Sequence, residues 1–279
     1  MKFLKRSLPV FGLLLALLLA GCGGKTPEQM LNNAAEQMES AKNVECSATM
    51  NIEYSMVGQS MKMQMQMDSV SFTEPQKAKC DMTLTIDIPG MGSQTQQMEM
   101  YVDEEYTYTG MDGVWVKTAM PDLETTETIN AELYEDLNAL LLANEPVSEE
   151  VNGVKTNKFT AVITEEMLGR VLGMMAGSID SESLGMVTGM FEGIGEIPFE
   201  YWLDAKTDMP VQMRVDMAKA METMLKNTLA QGGFGEIADI DVTVSAAELT
   251  MQYKNVNAAA DFEIPEEAKA AEEIPLVQE

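Results

Sequence analysis

Four methionines occupy alternate positions in the segment MKMQMQMD, residues 61–68. If this segment is a strand, Met61, Met63, Met65 and Met67 share one face, because successive side chains in a strand point to opposite faces. Thioether sulfur is a soft metal ligand, and methionine is also a flexible apolar filler. The pattern therefore raises three hypotheses: a copper site, an ordinary core, or a deformable apolar cavity.

Copper is the hypothesis that the sequence supports least. A soft metal site needs its ligands to converge on one ion, whereas these methionines alternate with isoleucine, leucine and valine over many predicted strands. Histidine, the usual companion ligand, does not occur in the chain. We therefore expect no metal site and no cofactor.

The core and the cavity both remain open as explanations of the methionines. The chain has 26 Met against 8 Phe and 2 Trp. Cores tolerate methionine as a gap filler, but strands with no special demand more often use valine and isoleucine. A methionine wall can repack around irregular ligands, as promiscuous binding surfaces do. A compositional bias toward methionine would produce the same excess.

Catalytic motifs are missing from the sequence. Without histidine there is no Ser-His or Cys-His pair and no imidazole metal ligand. Neither a phosphate-binding G-x-x-x-x-G-K loop nor a G-x-S-x-G nucleophile elbow occurs. Carboxylate pairs such as Glu149 and Glu150 fall in polar turns, where solvation is the simpler explanation. We expect that the protein is not an enzyme.

The N-terminus has the pattern of a secretory signal. Lys2, Lys5 and Arg6 precede an apolar run from Val10 to Ala20, which is too short to span a bilayer comfortably. The run ends in LLLAGC, which resembles the lipobox of bacterial lipoproteins. That resemblance implies cleavage after residue 21, lipid attachment at Cys22, and a mature protein tethered on the extracytoplasmic face of the cell membrane.

The charge of the chain restricts its partners. The formal net charge is -27, and removing the positive signal residues leaves a body near -30. Such a surface repels nucleic acid and anionic lipid headgroups. We therefore expect no nucleic-acid partner, contact with the membrane only through the N-terminal lipid, and a monomer.

The first part of the body predicts a helix followed by a strand meander. Thr26 is placed as an N-cap, with Pro27 at the first helical position and Gln29 completing a capping box, so a helix is expected at about 28–42. A hairpin with Gly58 and Gln59 in the turn follows, and it would place the apolar residues of the two strands opposite each other.

A second predicted hairpin, with Glu74 and Pro75 at its tip, continues the same apolar face onto a third strand. It places Met67 opposite Met82. In this register Cys46 and Cys80 lie on either side of the middle strand, ~9.6 Å apart, which is too far for a disulfide. We therefore predict free thiols.

The rest of the chain mixes helices with further strands. Helices are expected at about 129–143, at 165–175 after a Thr164 cap, and around the apolar stripe that contains Met221 and Leu225. The glycine-rich stretch 176–196 is either a mobile apolar cover or an ordinary surface connection. Residues 269–279 form an acidic tail that we expect to fray.

One hairpin carries a recognisable motif. Trp202, Leu203, Asp204, Thr207 and Pro210 match the pattern W-[LI]-D-x-x-T-x-x-P, and YKNVNAAADFEIPEEA closes the body. With the lipobox and the element order, these segments resemble bacterial lipoproteins related to the LolA/LolB carriers and the mycobacterial LppX/LprG proteins. The nearest resemblance is to an uncharacterised Gram-positive lipoprotein family within that group, and it spans residues 27–268.

The resemblance implies an α+β fold in which a strongly curved antiparallel sheet, a half-barrel, wraps around helices and encloses a cavity that accepts acyl chains. The expected organisation is a signal peptide at 1–21, a tether at 22–27, one domain at 28–268 and the tail at 269–279. Together with the strand pattern, this implies a hydrophobic ligand or lipid held by sixteen lining residues: Met50, Ile52, Tyr54, Met56, Met61, Met63, Met65, Met67, Met82, Leu84, Ile86, Met98, Met100, Phe199, Tyr201 and Met213. The alternative is a surface interaction or structural lipoprotein with a closed core.

Overall fold

The computed structural model describes residues 25–120, 137–169, 188–231 and 241–274. Its strands are β1 (Asn43–Met56), β2 (Gln59–Thr73), β3 (Gln76–Ile88), β4 (Gly92–Val102), β5 (Tyr106–Met111), β6 (Val114–Ala119), β7 (Val147–Val151), β8 (Val154–Ile163), β9 (Ile197–Asp204), β10 (Pro210–Asp216), β11 (Val242–Lys254) and β12 (Glu272–Glu273). Its helices are α1 (Pro27–Glu39), α2 (Ala218–Gln231) and α3 (Glu266–Lys269). Residues 137–141, 165–169 and 188–190 are also helical.

The twelve described strands form a single sheet in the order β12-β6-β5-β4-β3-β2-β1-β11-β10-β9-β8-β7. Neighbouring strands are antiparallel, except that β12 runs parallel to β6. The sheet is curved and does not close, because β7 and β12 lie at opposite edges. This confirms the predicted α+β fold with a curved antiparallel sheet.

Helices α1 and α2 pack on one face of the sheet, which we call the inner face. Leu31 and Ala34 of α1 are buried against Phe159, Phe199 and Leu203 of β8 and β9. Further along the sheet, Met221 and Leu225 of α2 pack against Ile52, Val244 and Ala247. Each helix therefore covers its own group of strands.

The start of α1 has the predicted capping box. The Gln29 backbone N–H donates to the Thr26 hydroxyl (3.2 Å), and the Thr26 N–H donates to the Gln29 side-chain oxygen (2.9 Å). The helix ends at Glu39, before the predicted residue 42. The Ser40 hydroxyl donates to the Glu36 carbonyl and satisfies part of the helix end, so another turn is not needed.

The predicted register of the first hairpin is wrong by two residues. The turn is Val57–Gly58, so Tyr54 pairs with Met61, Ile52 with Met63 and Met50 with Met65. Both turn residues have positive φ, 54° and 74°, as a two-residue type I′ turn requires. A shift of two positions leaves each side chain on its predicted face. The second hairpin has the predicted register, with Met67 opposite Met82.

Several predicted segments lie wholly or partly outside the described residues. The signal, Cys22 and most of the tether are outside, as are residues 129–136 of one predicted helix and residues 170–187 of the next predicted helix and the cover. The prediction that the tail frays from residue 269 is wrong as far as Ile274. Glu272 and Glu273 pair with β6, and the Ile274 N–H donates to the Lys117 carbonyl (2.8 Å), because the edge of β6 offers unpaired backbone groups.

The outer face of the sheet is also covered in part. The segment 261–274, which we call the C-terminal strap, crosses the outer side of β2–β6. It buries Ala268 against Tyr101 and Tyr108 and places Phe262 beside Phe72 and Tyr101. The Lys77 ammonium lies over the Phe72 and Phe262 rings and donates to the Asp261 carboxylate (2.6 Å).

Candidate apolar binding site

An apolar cavity of about 260 Å³ lies between α2 and the strands below it. It is lined by Ile52, Tyr54, Met56, Met63, Met221, Leu225, Thr228, Leu229 and Val242. Seven of these nine side chains are aliphatic or thioether, so the walls suit a hydrocarbon chain better than a polar ligand.

The hydroxyl groups at the cavity are already engaged within the protein. The Tyr54 hydroxyl donates to the Met61 sulfur (3.4 Å), and the Thr228 hydroxyl donates to the Met224 carbonyl (2.8 Å). Neither hydroxyl group therefore needs a hydrogen-bond acceptor on a ligand, since each proton already has a partner within the fold.

Carboxylate and amide groups fix the helix that roofs the cavity. Glu222 of α2 accepts a hydrogen bond from the Val244 backbone N–H (3.0 Å) and forms an ion pair with Lys226. Asn227 donates to the carbonyls of Met190 and Glu192 (3.1 and 2.7 Å). The described end of the predicted cover, residues 188–194, is therefore joined to α2.

Half-buried thioethers extend the inner face away from the cavity. Along β2 the methionines are half-buried, whereas Lys62, Gln64, Gln66 and Asp68 between them are exposed. The register carries Met67 across to Met82, Met98 and Met111 on β3, β4 and β5. A row of sulfur side chains thus crosses four adjacent strands.

The structure places the sixteen predicted lining residues in four groups. Ile52, Tyr54, Met56 and Met63 line the 260 Å³ cavity. Phe199, Tyr201 and Met213 belong to the core below α1. Leu84 and Ile86 line a second depression of about 280 Å³. The rest lie half-buried on the inner face: Met50, Met61, Met65, Met67, Met82, Met98 and Met100.

The second depression is more polar than the first. Besides Leu84 and Ile86 it is lined by Gln94, Thr95, Gln96 and Asp112. The Gln96 amide donates to the Met111 sulfur (2.8 Å) at its side. A hydrocarbon ligand would gain less binding free energy there, because the amide groups would lose hydrogen bonds to water without gaining a hydrogen-bond partner from the ligand.

Sequence reasoning missed the contribution of α2 to the cavity. Met221, Leu225, Thr228 and Leu229 line it from the helix side. Their spacing of three and four residues indicated an inward stripe, but nothing in the sequence specified which strands that stripe would face.

The tryptophan motif builds a hairpin and lies away from the cavity. Trp202 is on the outer face, between the Lys158 and Arg214 cations (5.7 and 5.6 Å from the ring), and Leu203 is fully buried inside. Asp204 accepts from the Lys206 and Thr207 N–H groups at 2.8 Å each. Burial acts to raise the pKa of Asp204, but these backbone donors outweigh it and lower the pKa below its usual value.

Across the residues that the structure describes, no group of three or more cysteine, aspartate or glutamate side chains is arranged to hold a metal ion. In the same part of the chain, no helix has both the length and the apolar character needed for a membrane crossing. Cys46 and Cys80 are free thiols, as predicted.

Comparison with known proteins places the chain in a family. A model of the family of unknown function DUF6612 matches residues 26–273. The chain belongs to that family. No curated protein matches the chain at a significant level.

The chain is similar, at low identity, to solved structures that include the following three. LprF from Mycobacterium bovis is 14% identical, with 87% of this chain and 97% of that chain covered and a TM-score of 0.39. A β-barrel-like DUF1849 protein from Brucella abortus is 8% identical, with 77% and 98% covered and a TM-score of 0.25. A DUF1329 protein from Desulfovibrio piger is 8% identical, with 84% and 93% covered and a TM-score of 0.20. Likeness at this level does not extend to ligand or activity.

Proposed function

We propose that this protein binds an apolar molecule, a lipid or another acyl chain, between α2 and the strands β1, β2 and β11. The supporting observation is the 260 Å³ cavity, whose walls are almost entirely apolar and whose hydroxyl groups are already bonded. The role is binding or carriage, without catalysis.

The size of the cavity bears on the strength of binding. Ligand sites typically occupy ~300 to 1,000 Å³, so this cavity must enlarge to accept a long chain. Methionine makes this feasible, because its unbranched side chain changes rotamer at low cost. Burying ten methylenes gains about 8 kcal/mol, which is similar to the cost of immobilising a ligand. Binding should therefore be exchangeable, as a carrier requires.

We also propose that lipid on Cys22 tethers the protein to the extracytoplasmic face of the cell membrane. Cys22 lies outside the described residues, but Lys25, three residues later, forms an ion pair with Asp208 in the β9–β10 turn. The tether would therefore leave the body beside that turn. The strongly acidic body stays off an anionic bilayer, contacts no nucleic acid and acts as a monomer.

A second candidate is a surface interaction or structural lipoprotein with a closed core. The observation in its favour is that the cavity falls below the usual volume of a ligand site. In that case the methionines only fill space, and no ligand enters.

Organic extraction separates the two candidates. The Cys22→Ser chain, which carries no lipid of its own, is purified without detergent, and its extract and native mass are measured. The carrier proposal predicts co-purified acyl species that add a discrete mass. A clean unliganded mass, together with no uptake of a fluorescent fatty acid, would instead support the closed core.

A further inference from the structure

Four sulfur-bearing residues are neighbours on the inner face of β3 and β4, away from the apolar cavity. Cys80 pairs with Met100 and Met82 pairs with Met98, so the four occupy the corners of a rectangle on one face. Its sides are about 5 Å across the strands and about 7 Å along them. We call this group the sulfur quartet.

The pairing of β4 with β3 removes the objection that the sequence raised against a metal. Elsewhere on the inner face of β1–β3 the register breaks up the methionines: Met63 adjoins Ile52 and Ile86, and the Met50–Met65 pair is flanked by Leu249 and Leu84. In the quartet every corner carries sulfur, and Met67 opposite Met82 adds a fifth. Convergence on one ion is therefore possible here, as a soft site requires.

We propose that the sulfur quartet binds one soft monovalent cation, Cu(I) or Ag(I), through three thioethers and the Cys80 thiolate. The four side chains can reach an ion above the centre of the rectangle with metal–sulfur bonds of roughly 2.3 Å. A thiolate and a monovalent cation also cancel in charge, which suits a half-buried apolar surface.

The donor set selects against harder cations. Asp81 and Glu99, which alternate with the quartet along the same strands, pair with each other on the outer face. Calcium, magnesium and manganese prefer oxygen ligands, and zinc is usually bound by several thiolates, imidazoles or carboxylates rather than by thioethers. The quartet supplies one thiol and otherwise only neutral thioethers.

A soft cation binds Cys80 as a thiolate, so the thiol proton must leave when the metal enters. Metal ligands have to be deprotonated, and binding should therefore release one proton per ion.

The quartet is accessible, and the described core does not depend on it. All four side chains are half-buried. None of them belongs to the hydrophobic clusters formed by the described residues. Leucine substitutions there should consequently leave the fold intact.

Silver titration tests the proposal with a redox-stable probe. The Cys22→Ser chain is titrated with Ag(I), followed by native mass spectrometry and by proton release into weak buffer. Competition with a chromophoric Cu(I) chelator under anaerobic conditions gives the Cu(I) affinity. We expect one tightly bound ion per chain and one proton released.

Two pairs of variants locate the ion. Replacing a residue that only orients a metal ligand typically costs about 10- to 100-fold in metal affinity. Losing the ligands themselves, in Met98→Leu/Met100→Leu or in Cys80→Ser, should therefore cost at least about 100-fold. The matched variants Met63→Leu and Cys46→Ser change another inner-face thioether and the other thiol, and they should keep the wild-type affinity.

Three results would overturn the proposal: no tight Ag(I) binding, loss in Cys80→Ser without loss in Met98→Leu/Met100→Leu, or an equal loss in the matched variants. The inference does not depend on the proposed function. Quartet variants should retain fatty-acid uptake, so a failed silver titration and a failed lipid experiment remain distinguishable.

Discussion

Asp208 joins the N-terminal segment to the sheet through a single side chain. Its carboxylate is 1% exposed, forms an ion pair with Lys25 and accepts a hydrogen bond from the Asn33 amide (2.8 Å). Its backbone has a φ of 61°, which aspartate and asparagine tolerate better than most residues. One residue thus holds both the turn and the start of α1.

Substitution of Asp208 should separate its two roles. Asp208→Ala removes charge-assisted hydrogen bonds worth about 1.5–3 kcal/mol and adds strain at positive φ. Asp208→Asn keeps the backbone preference and the shape, so it should lose less stability. Urea unfolding measures both variants. Equal stability of Asp208→Ala and the wild type would show that the tie to α1 contributes nothing.

Val57 has a backbone conformation that is unfavourable for valine. It is 70% exposed, stands at φ 54° and precedes Gly58 in a type I′ turn, where Asn-Gly is preferred. Val57→Asn should stabilise the protein by about 1 kcal/mol, because the left-handed conformation costs an ordinary residue roughly 1–2 kcal/mol. Gly58→Ala should destabilise it. A lower thermal midpoint for Val57→Asn would contradict the assigned turn.

Among the elements, the C-terminal strap has the most direct structural role. It covers aromatic side chains of β2, β4 and β5 on the outer face and adds β12 to the edge of β6. Truncation after Ala260 should lower the thermal midpoint by several degrees, since a loss of 1 kcal/mol shifts a domain of this size by about 2–4 °C.

Truncation after Ile274 is the matched control for the strap, because it removes only residues 275–279 and leaves β12 paired. It should unfold with the wild-type midpoint. The point variant Ala268→Glu places a charge at a fully buried position and should reproduce part of the larger truncation. If removing the whole strap left the midpoint unchanged, its packing would be energetically neutral.

The period-two pattern made much of the sheet predictable from the sequence. It assigned the correct faces in β1–β3. The register error in the first hairpin did not change these faces, because it was a shift of two residues and a shift by an even number keeps each side chain on its face. The free state of Cys46 and Cys80 followed from the same alternation, since both flank Ser69 on opposite sides of β2.

Contacts between distant segments were not predictable. The register of β4 against β3 could not be derived from the local pattern, so the sulfur quartet was not apparent. The local pattern also could not place α2 over β1 and β2, nor assign Phe199 and Met213 to the filled core below α1. Such choices depend on how whole elements pack, which local periodicity does not encode.

At the scale of the whole molecule, the open sheet carries two unlike regions on one inner face. Below α1 the core is filled by Leu31, Phe159 and Leu203, which are almost fully buried. Below α2 a cavity remains, bordered by half-buried methionines. Helix α2, joined to the segment 188–194 through Asn227, therefore forms the wall of this cavity opposite the sheet.

Titration with a fluorescent long-chain fatty acid tests the central claim most directly, using the Cys22→Ser chain and two variants at adjacent residues of β2. Met63→Trp fills the cavity, whereas Gln64→Trp adds the same ring on the exposed opposite face. The cavity account predicts saturable binding by the parent chain and Gln64→Trp, and at least about a tenfold loss for Met63→Trp, since 1.4 kcal/mol corresponds to tenfold in affinity. No saturable binding, or equal affinities for the two tryptophan variants, would contradict it.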